Sequence, residues 1–143
     1  MNIFREQWFL GAVFPASPED IERLVASGEL MCFGDEGGVI LVRDAGDGDC
    51  EWHWGFRPGM PIAEKRMRVH AVVRALCDAG FKTAVGLTPE HNMPARIINR
   101  YFGAKNMGKR DGGVVYLVDL REWLAHASRI SSDSSCSEIT VTT

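Results

Sequence analysis

The chain has 143 residues, the size of one ordinary domain, with 45% hydrophobic and 24% charged side chains. A formal net charge of -3 and a pI near 5.8 argue against a protein that coats nucleic acid by charge alone. No run approaches the ~20 apolar residues of a membrane span. Met1-Asn2-Ile3-Phe4-Arg5-Glu6 carries charge where a secretory leader needs an apolar stretch, so the expected compartment is the cytoplasm.

The first fifteen residues are rich in apolar and aromatic groups (Trp8, Phe9, Leu10, Val13, Phe14) and fit either a strand or a docked arm. Ser17-Pro18-Glu19-Asp20 then reads as a helix start: Ser17 suits the N-cap and Pro18 the first helical position. Ile21, Leu24 and Val25 recur at helical spacing and Gly28 closes the helix, which predicts it over Pro18–Ser27. Short apolar runs at 30–33 and 39–42 flank Gly34-Asp35-Glu36-Gly37-Gly38, and an aromatic run at 50–56 follows a Gly/Asp-rich turn. Together they predict a three-stranded antiparallel meander. Arg57-Pro58-Gly59-Met60-Pro61 breaks it. A helix is predicted over 62–79, a strand over 83–87, a loop through His91 and Asn92, and a helix over 94–102. The stretch 105–113 is polar and Gly-rich, 114–118 reads as the last strand, and a short helix spans 119–127. The Ser/Thr-rich tail 128–143 has few large apolar groups and is expected to be disordered, leaving 1–127 as one domain. Antiparallel strands followed by alternating helices and strands define an α+β class: one mixed, mostly antiparallel sheet with helices on both faces.

Four cysteines, Cys32, Cys50, Cys77 and Cys136, form no Cys-x-x-Cys pair and no finger-like spacing with His, so no metal site is expected. They read as free thiols in a reducing compartment.

From Glu51 to Gly113 the sequence resembles the GNAT-like N-acetyltransferases. In that family an aromatic or apolar strand ends in an apolar-x-Pro step, here Phe56-Arg57-Pro58. A loop and a long helix follow, then a strand, an Asn-x-x-Ala helix (Asn92-Met93-Pro94-Ala95) and a Gly-apolar step (Gly103-Ala104). The turn at Gly108-Lys109-Arg110-Asp111-Gly112 before Val114-Val115-Tyr116 is similar to the family's closing hairpin. The resemblance implies a helix N-terminus that takes a pyrophosphate and strands whose backbone pairs with pantetheine amides. It places acetyl-CoA, as co-substrate, at Phe56, Arg57, Gly59, Ile62, Ala63, Lys65, Arg66, Asn92, Ala95 and Arg96. It implies transfer of an acetyl group to an amine of unidentified kind, on a small molecule or a protein. Small relatives of this kind occur in bacteriophages and their virions, so the resemblance also admits a host-cytoplasmic or virion location.

Two departures stand out. The Gly59-Met60-Pro61-Ile62-Ala63-Glu64 loop has two prolines about it and a carboxylate where phosphates are expected; Lys65 and Arg66 offset that charge. The slot of the family's proton-donating Tyr is Asn99, a residue that cannot act as an acid. Glu51 and His53 alternate with Trp52 and Trp54, so they share one face and form the candidate base for the amine. The opposite face, Trp52, Trp54 and Phe56, reads as core. Arg96, Arg100, Lys105, Lys109 and Arg110 cluster late in the chain and would suit the adenosine phosphate or an acidic partner. A catalytically inactive scaffold that binds a virion or other partner is the rival reading, and nucleic-acid binding through the basic cluster is weaker still.

Overall fold

The structure, a computed structural model, describes residues 1–10 and 13–133. A 3-10 helix (Asn2–Arg5) precedes α1 (Pro18–Ser27), β1 (Met31–Asp35), β2 (Gly38–Gly46), β3 (Asp49–Phe56), α2 (Ile62–Asp78), β4 (Thr83–Pro89), α3 (Met93–Tyr101), β5 (Lys105–Arg110), β6 (Gly113–Asp119) and α4 (Leu120–Asp133). The six strands form one sheet in the order β1-β2-β3-β4-β6-β5. Every neighbouring pair is antiparallel except β3 and β4, which run parallel. The meander, the α+β class and helices on both faces are therefore present as expected.

Local chemistry explains most boundaries. Ser17 Oγ accepts the Asp20 N–H at 3.2 Å, and Gly28 closes α1 in the left-handed region with φ 84°. Arg57 C=O accepts the Met60 N–H at 3.1 Å, with Pro58 and Gly59 (φ 86°) between them. That is a type II turn, whose third position demands a positive φ, so Gly59 serves the turn. Gly55 is a close-approach glycine: a Cβ there would lie 2.8 Å from the Phe9 ring and 2.9 Å from a Val13 methyl. The N-terminal segment is thus a docked arm rather than a strand, and Ile3, Phe4, Phe9 and Phe14 are all buried.

Two cores share the sheet. On one face Ile40, Val42, Cys50, Trp52, Ala84 and Val118 pack with Val69, Val72, Val73 and Leu76 of α2 and Leu120 of α4. On the other, Val39 and Leu41 pack with Ile21 of α1, Leu30 and the arm. Trp54 and Phe56 pack against the first core, as expected of that face.

Two expectations are corrected. The stretch 105–113, read as polar and Gly-rich with a hairpin turn over 108–112, is strand β5 as far as Arg110, exposed along its whole length, and the turn is confined to Asp111 and Gly112. It carries an irregularity between Asn106 and Lys109 and three cations, features that blunt an edge strand. The last helix continues to Asp133 instead of ending near Ala127, so 128–133, expected to be disordered, is helical; 134–143 lies outside the described residues.

Candidate functional site

The site begins where β3 and β4 part. Their register holds for Asp49↔Thr83, Cys50↔Ala84 and Glu51↔Val85 and then ends, although β3 continues to Phe56 and β4 to Pro89. Backbone groups alternate sides along a strand. The Arg57 N–H donates to Gly37 C=O on the β2 side at 2.9 Å. Gly55, His53 and Glu51 therefore direct their backbone towards β2, and Trp54 and Phe56 theirs towards β4. On the facing strand the Glu90 N–H donates to Gly112 C=O at 3.2 Å, so Thr88 and Gly86 point to β6 and Leu87 points to β3. Past the last rung, the lips of the gap are the N–H and C=O groups of Trp54 and Phe56 on one side and of Leu87 on the other. These groups have no strand partner and suit an extended, amide-bearing ligand. At the root of the gap Trp52 lies against Gly86, where a Cβ would come within 3.3 Å of the indole.

The start of α2 faces the same mouth. Pro61 gives it no side-chain cap. The Glu64 and Lys65 N–H groups both donate to Pro61 C=O at 3.1 Å, while those of Ile62 and Ala63 have no acceptor within the helix. Two free N–H groups at a helix start attract an anion. Glu64 is drawn away by Arg68 at 3.4 Å. Lys65 lies 6.0 Å over the Phe56 ring, and Arg66 has no carboxylate partner among the described residues. Of the residues assigned to the cofactor, Phe56, Gly59, Ile62, Ala63, Lys65 and Arg66 thus surround one helix start. Arg57 is engaged elsewhere: its guanidinium donates to Glu36 C=O at 2.6 and 3.1 Å and to Glu6 at 3.2 Å.

Across the gap stands α3. Asn92 caps it by accepting the Ala95 N–H at 3.2 Å, so two residues assigned to the ligand bond each other. Arg96 donates to Tyr116 Oη at 3.4 Å and to Glu90 C=O at 3.2 Å. Asn99 donates to Thr88 Oγ1 at 3.1 Å and to Ala95 C=O at 2.9 Å, which uses its amide N–H groups. Polar side chains therefore fasten α3 to the sheet, whereas Met93, Ile97 and Tyr101 face outward at 52, 60 and 56% exposure. The rest of the basic cluster is mostly paired: Lys109 with Glu90 at 2.6 Å, Lys105 with Glu122 at 4.0 Å, Arg110 with Asp111 at 3.8 Å. Arg100 alone of the cluster has neither a carboxylate nor a hydrogen-bond partner among the described residues.

On the arm side of the sheet, Glu51 and His53 share a face, as alternation requires. Glu51 is tied to Arg43 at 2.6 Å. His53 is half-buried with the Phe14 ring edge-on at 5.0 Å and 88°, and its buried Nε2 has no hydrogen-bond partner. Burial pushes its pKa down and Arg43 adds to this, while Glu51 and the Val13 backbone act the other way. By register His53 stands two residues beyond the last paired one, Glu51, in line with Leu87 on the facing strand. The sequence did not single out Leu87, Phe14 or Thr88. Gly86 inside a strand was the available signal, since such a glycine marks a close approach. Among the described residues, no group of His, Cys, Asp and Glu could hold a metal ion, and no helix is long and apolar enough to cross a membrane.

A mixed sheet whose one parallel pair splays apart beside a helix start is the architecture of the GNAT-type acetyltransferases, and this chain has that fold. A probable acetyltransferase of the GNAT family from Chromobacterium violaceum superposes with a TM-score of 0.65 at 16% identity, over 85% of this chain and 76% of its own. A putative acetyltransferase from T. thermophilus gives 0.63 at 18% identity, over 92% and 86% of the two chains. The PaiA N-acetyltransferase from Thermoplasma acidophilum, solved with coenzyme A, gives 0.58 at 10% identity, over 71% and 67%. No family model and no curated protein matches the sequence.

Proposed function

We propose that the protein is an acyl-CoA-dependent N-acyltransferase acting on an amine. The observation that carries this is the parting of β3 and β4 after Glu51↔Val85, with two unpaired N–H groups of α2 at its mouth and the His53 side chain beside it on the arm face of β3. The solved neighbour that holds coenzyme A supports the choice of ligand. Acetyl-CoA would lay its pantetheine along the lips of Trp54, Phe56 and Leu87. Its pyrophosphate would meet the Ile62 and Ala63 N–H groups, with Lys65 and Arg66 nearby.

His53 is kept neutral by burial and carries an unpartnered but buried Nε2, so it takes a proton from the attacking amine once the amine enters beside the Phe14 ring that covers it. The new C–N bond forms at the thioester carbon, the C–S bond breaks, and the thiolate departs with the electron pair. Glu51, paired with Arg43, acts on His53 through its charge. Asn99 has no acid proton to give, so the thiolate is protonated from solvent.

Calorimetry with acetyl-CoA tests the reading on wild type and Ile62→Pro. Proline is tolerated at the first helical position but removes one N–H. The expected outcome is binding that weakens roughly tenfold, the order of one charge-assisted hydrogen bond, with an unchanged melting temperature. Absence of binding to the wild type at millimolar acetyl-CoA would sink the proposal. Binding without acetyl transfer to any amine would leave an inactive scaffold.

A further inference from the structure

Beside the gap, on the His53 face, lies a patch of sheet that neither core uses. Val85 and Leu87 of β4 stand in register with Leu117 and Val115 of β6. Alternation puts all four on the face opposite Ala84, Tyr116 and Val118. None belongs to either core cluster. Leu87 is 49% exposed and leans over Gly113, where a Cβ would meet it at 2.8 Å. Strand spacing makes the tile about 7 Å along the strands and about 5 Å across, the footprint of one aromatic ring or one branched alkyl group.

The carboxylates around the tile each already hold a partner, an ion pair or a hydrogen bond. Glu51 is held by Arg43, and Lys105 reaches Glu122. One rung away, Asp49 accepts the Thr83 hydroxyl and Asp119 accepts the Glu122 N–H. On the tile itself the contact is apolar: a compact apolar body finds four side chains whose burial is worth ~25 cal/mol per Å², whereas Asp49 and Asp119, which keep their charge, stand one rung off it.

From this, and resting on the acyltransferase reading, we infer that the acceptor is a monoamine with a compact apolar body. The ring or branched chain lies on Val85, Leu87, Val115 and Leu117, and the amine is directed over the lip to His53. Discrimination then comes from apolar contact, which separates substrates by roughly tenfold to a few hundredfold.

Two measurements on the full chain test this. Thiol release from acetyl-CoA is followed with phenethylamine, isopentylamine, spermidine and a lysine-containing peptide, on wild type and on Leu87→Asn and Val115→Asn. The two apolar amines should lead in kcat/KM. Both variants should raise their KM roughly tenfold, and Val115→Asn, which lies off the lips of the gap, should leave the KM for acetyl-CoA unchanged. Separately, saturation-transfer NMR reads phenethylamine binding without acetyl-CoA, and the signal should weaken in Leu87→Asn. Preference for spermidine or the peptide, or phenethylamine binding indifferent to both variants, overturns the inference while acetyl-CoA binding stands. Sedimentation showing a dimer that Leu87→Asn dissociates also overturns it, because the tile would then be covered by a second copy. Failure of acetyl-CoA to bind removes the acyltransferase reading, and the NMR result alone then decides whether the tile takes an apolar amine.

Discussion

His53 is kept neutral by its surroundings, and that has a thermodynamic signature. The imidazole of the unfolded chain takes up a proton near the ordinary value of 6.5, whereas burial against Phe14 holds the folded one lower. Below that ordinary value the unfolded chain binds more protons, so acid favours unfolding. The contribution of His53 is therefore complete above it and is lost as pH falls from it towards the folded value. Half-buried His70 is shifted in the same direction, so the comparison must be differential. Urea midpoints of wild type and His53→Phe should differ by a constant amount from about pH 8 to about pH 6.5 and should shift in the variant's favour below that. A constant difference throughout would show that the imidazole titrates normally. If His53 also receives the amine's proton, kcat/KM of the wild type falls across the same acid limb.

Among the elements, α1 and β3 were the most legible, because each carries its own local instructions. Ser17, Pro18 and Gly28 specify α1 by capping chemistry. Alternation on β3 places Glu51 and His53 on one face and the tryptophans on the other. β5 was missed because Lys105, Asn106, Gly108, Lys109 and Arg110 carry no hydrophobic period; only pairing with β6 makes them a strand. The site was legible in part. The helix start at Ile62 and the face of His53 follow from local pattern, while the loss of Arg57 to Glu6 and Glu36 depends on a long-range contact. The arm was ambiguous for the same reason, since its docking rests on the missing Cβ of Gly55. Gly55→Ala should force Phe9 and Val13 outward and cost about 1–3 kcal/mol, the usual range for overpacking. Urea denaturation would measure it, and a loss below a few tenths would mean that the arm does not rest on β3.

Across the whole molecule, stability is unevenly distributed. α2 is anchored through Val69, Val72, Val73 and Leu76 in the larger core, whereas α3 has no buried residue. Hydrogen–deuterium exchange should show α2 amides protected by global unfolding, with rates that rise steeply with urea. Amides of α3 should exchange faster and nearly independently of urea; steep urea dependence there would contradict the picture. Lifting α3 breaks the bonds of Asn99 and Arg96 and uncovers the buried Tyr116 and Val114 beneath it, a smaller apolar area than the core under α2. Such an opening carries a heat-capacity change in proportion to that smaller area. Its free energy then curves less with temperature than that of the rest of the fold. On cooling, this wall of the cleft therefore loses less of its attachment than the hydrophobic body of the protein loses of its own.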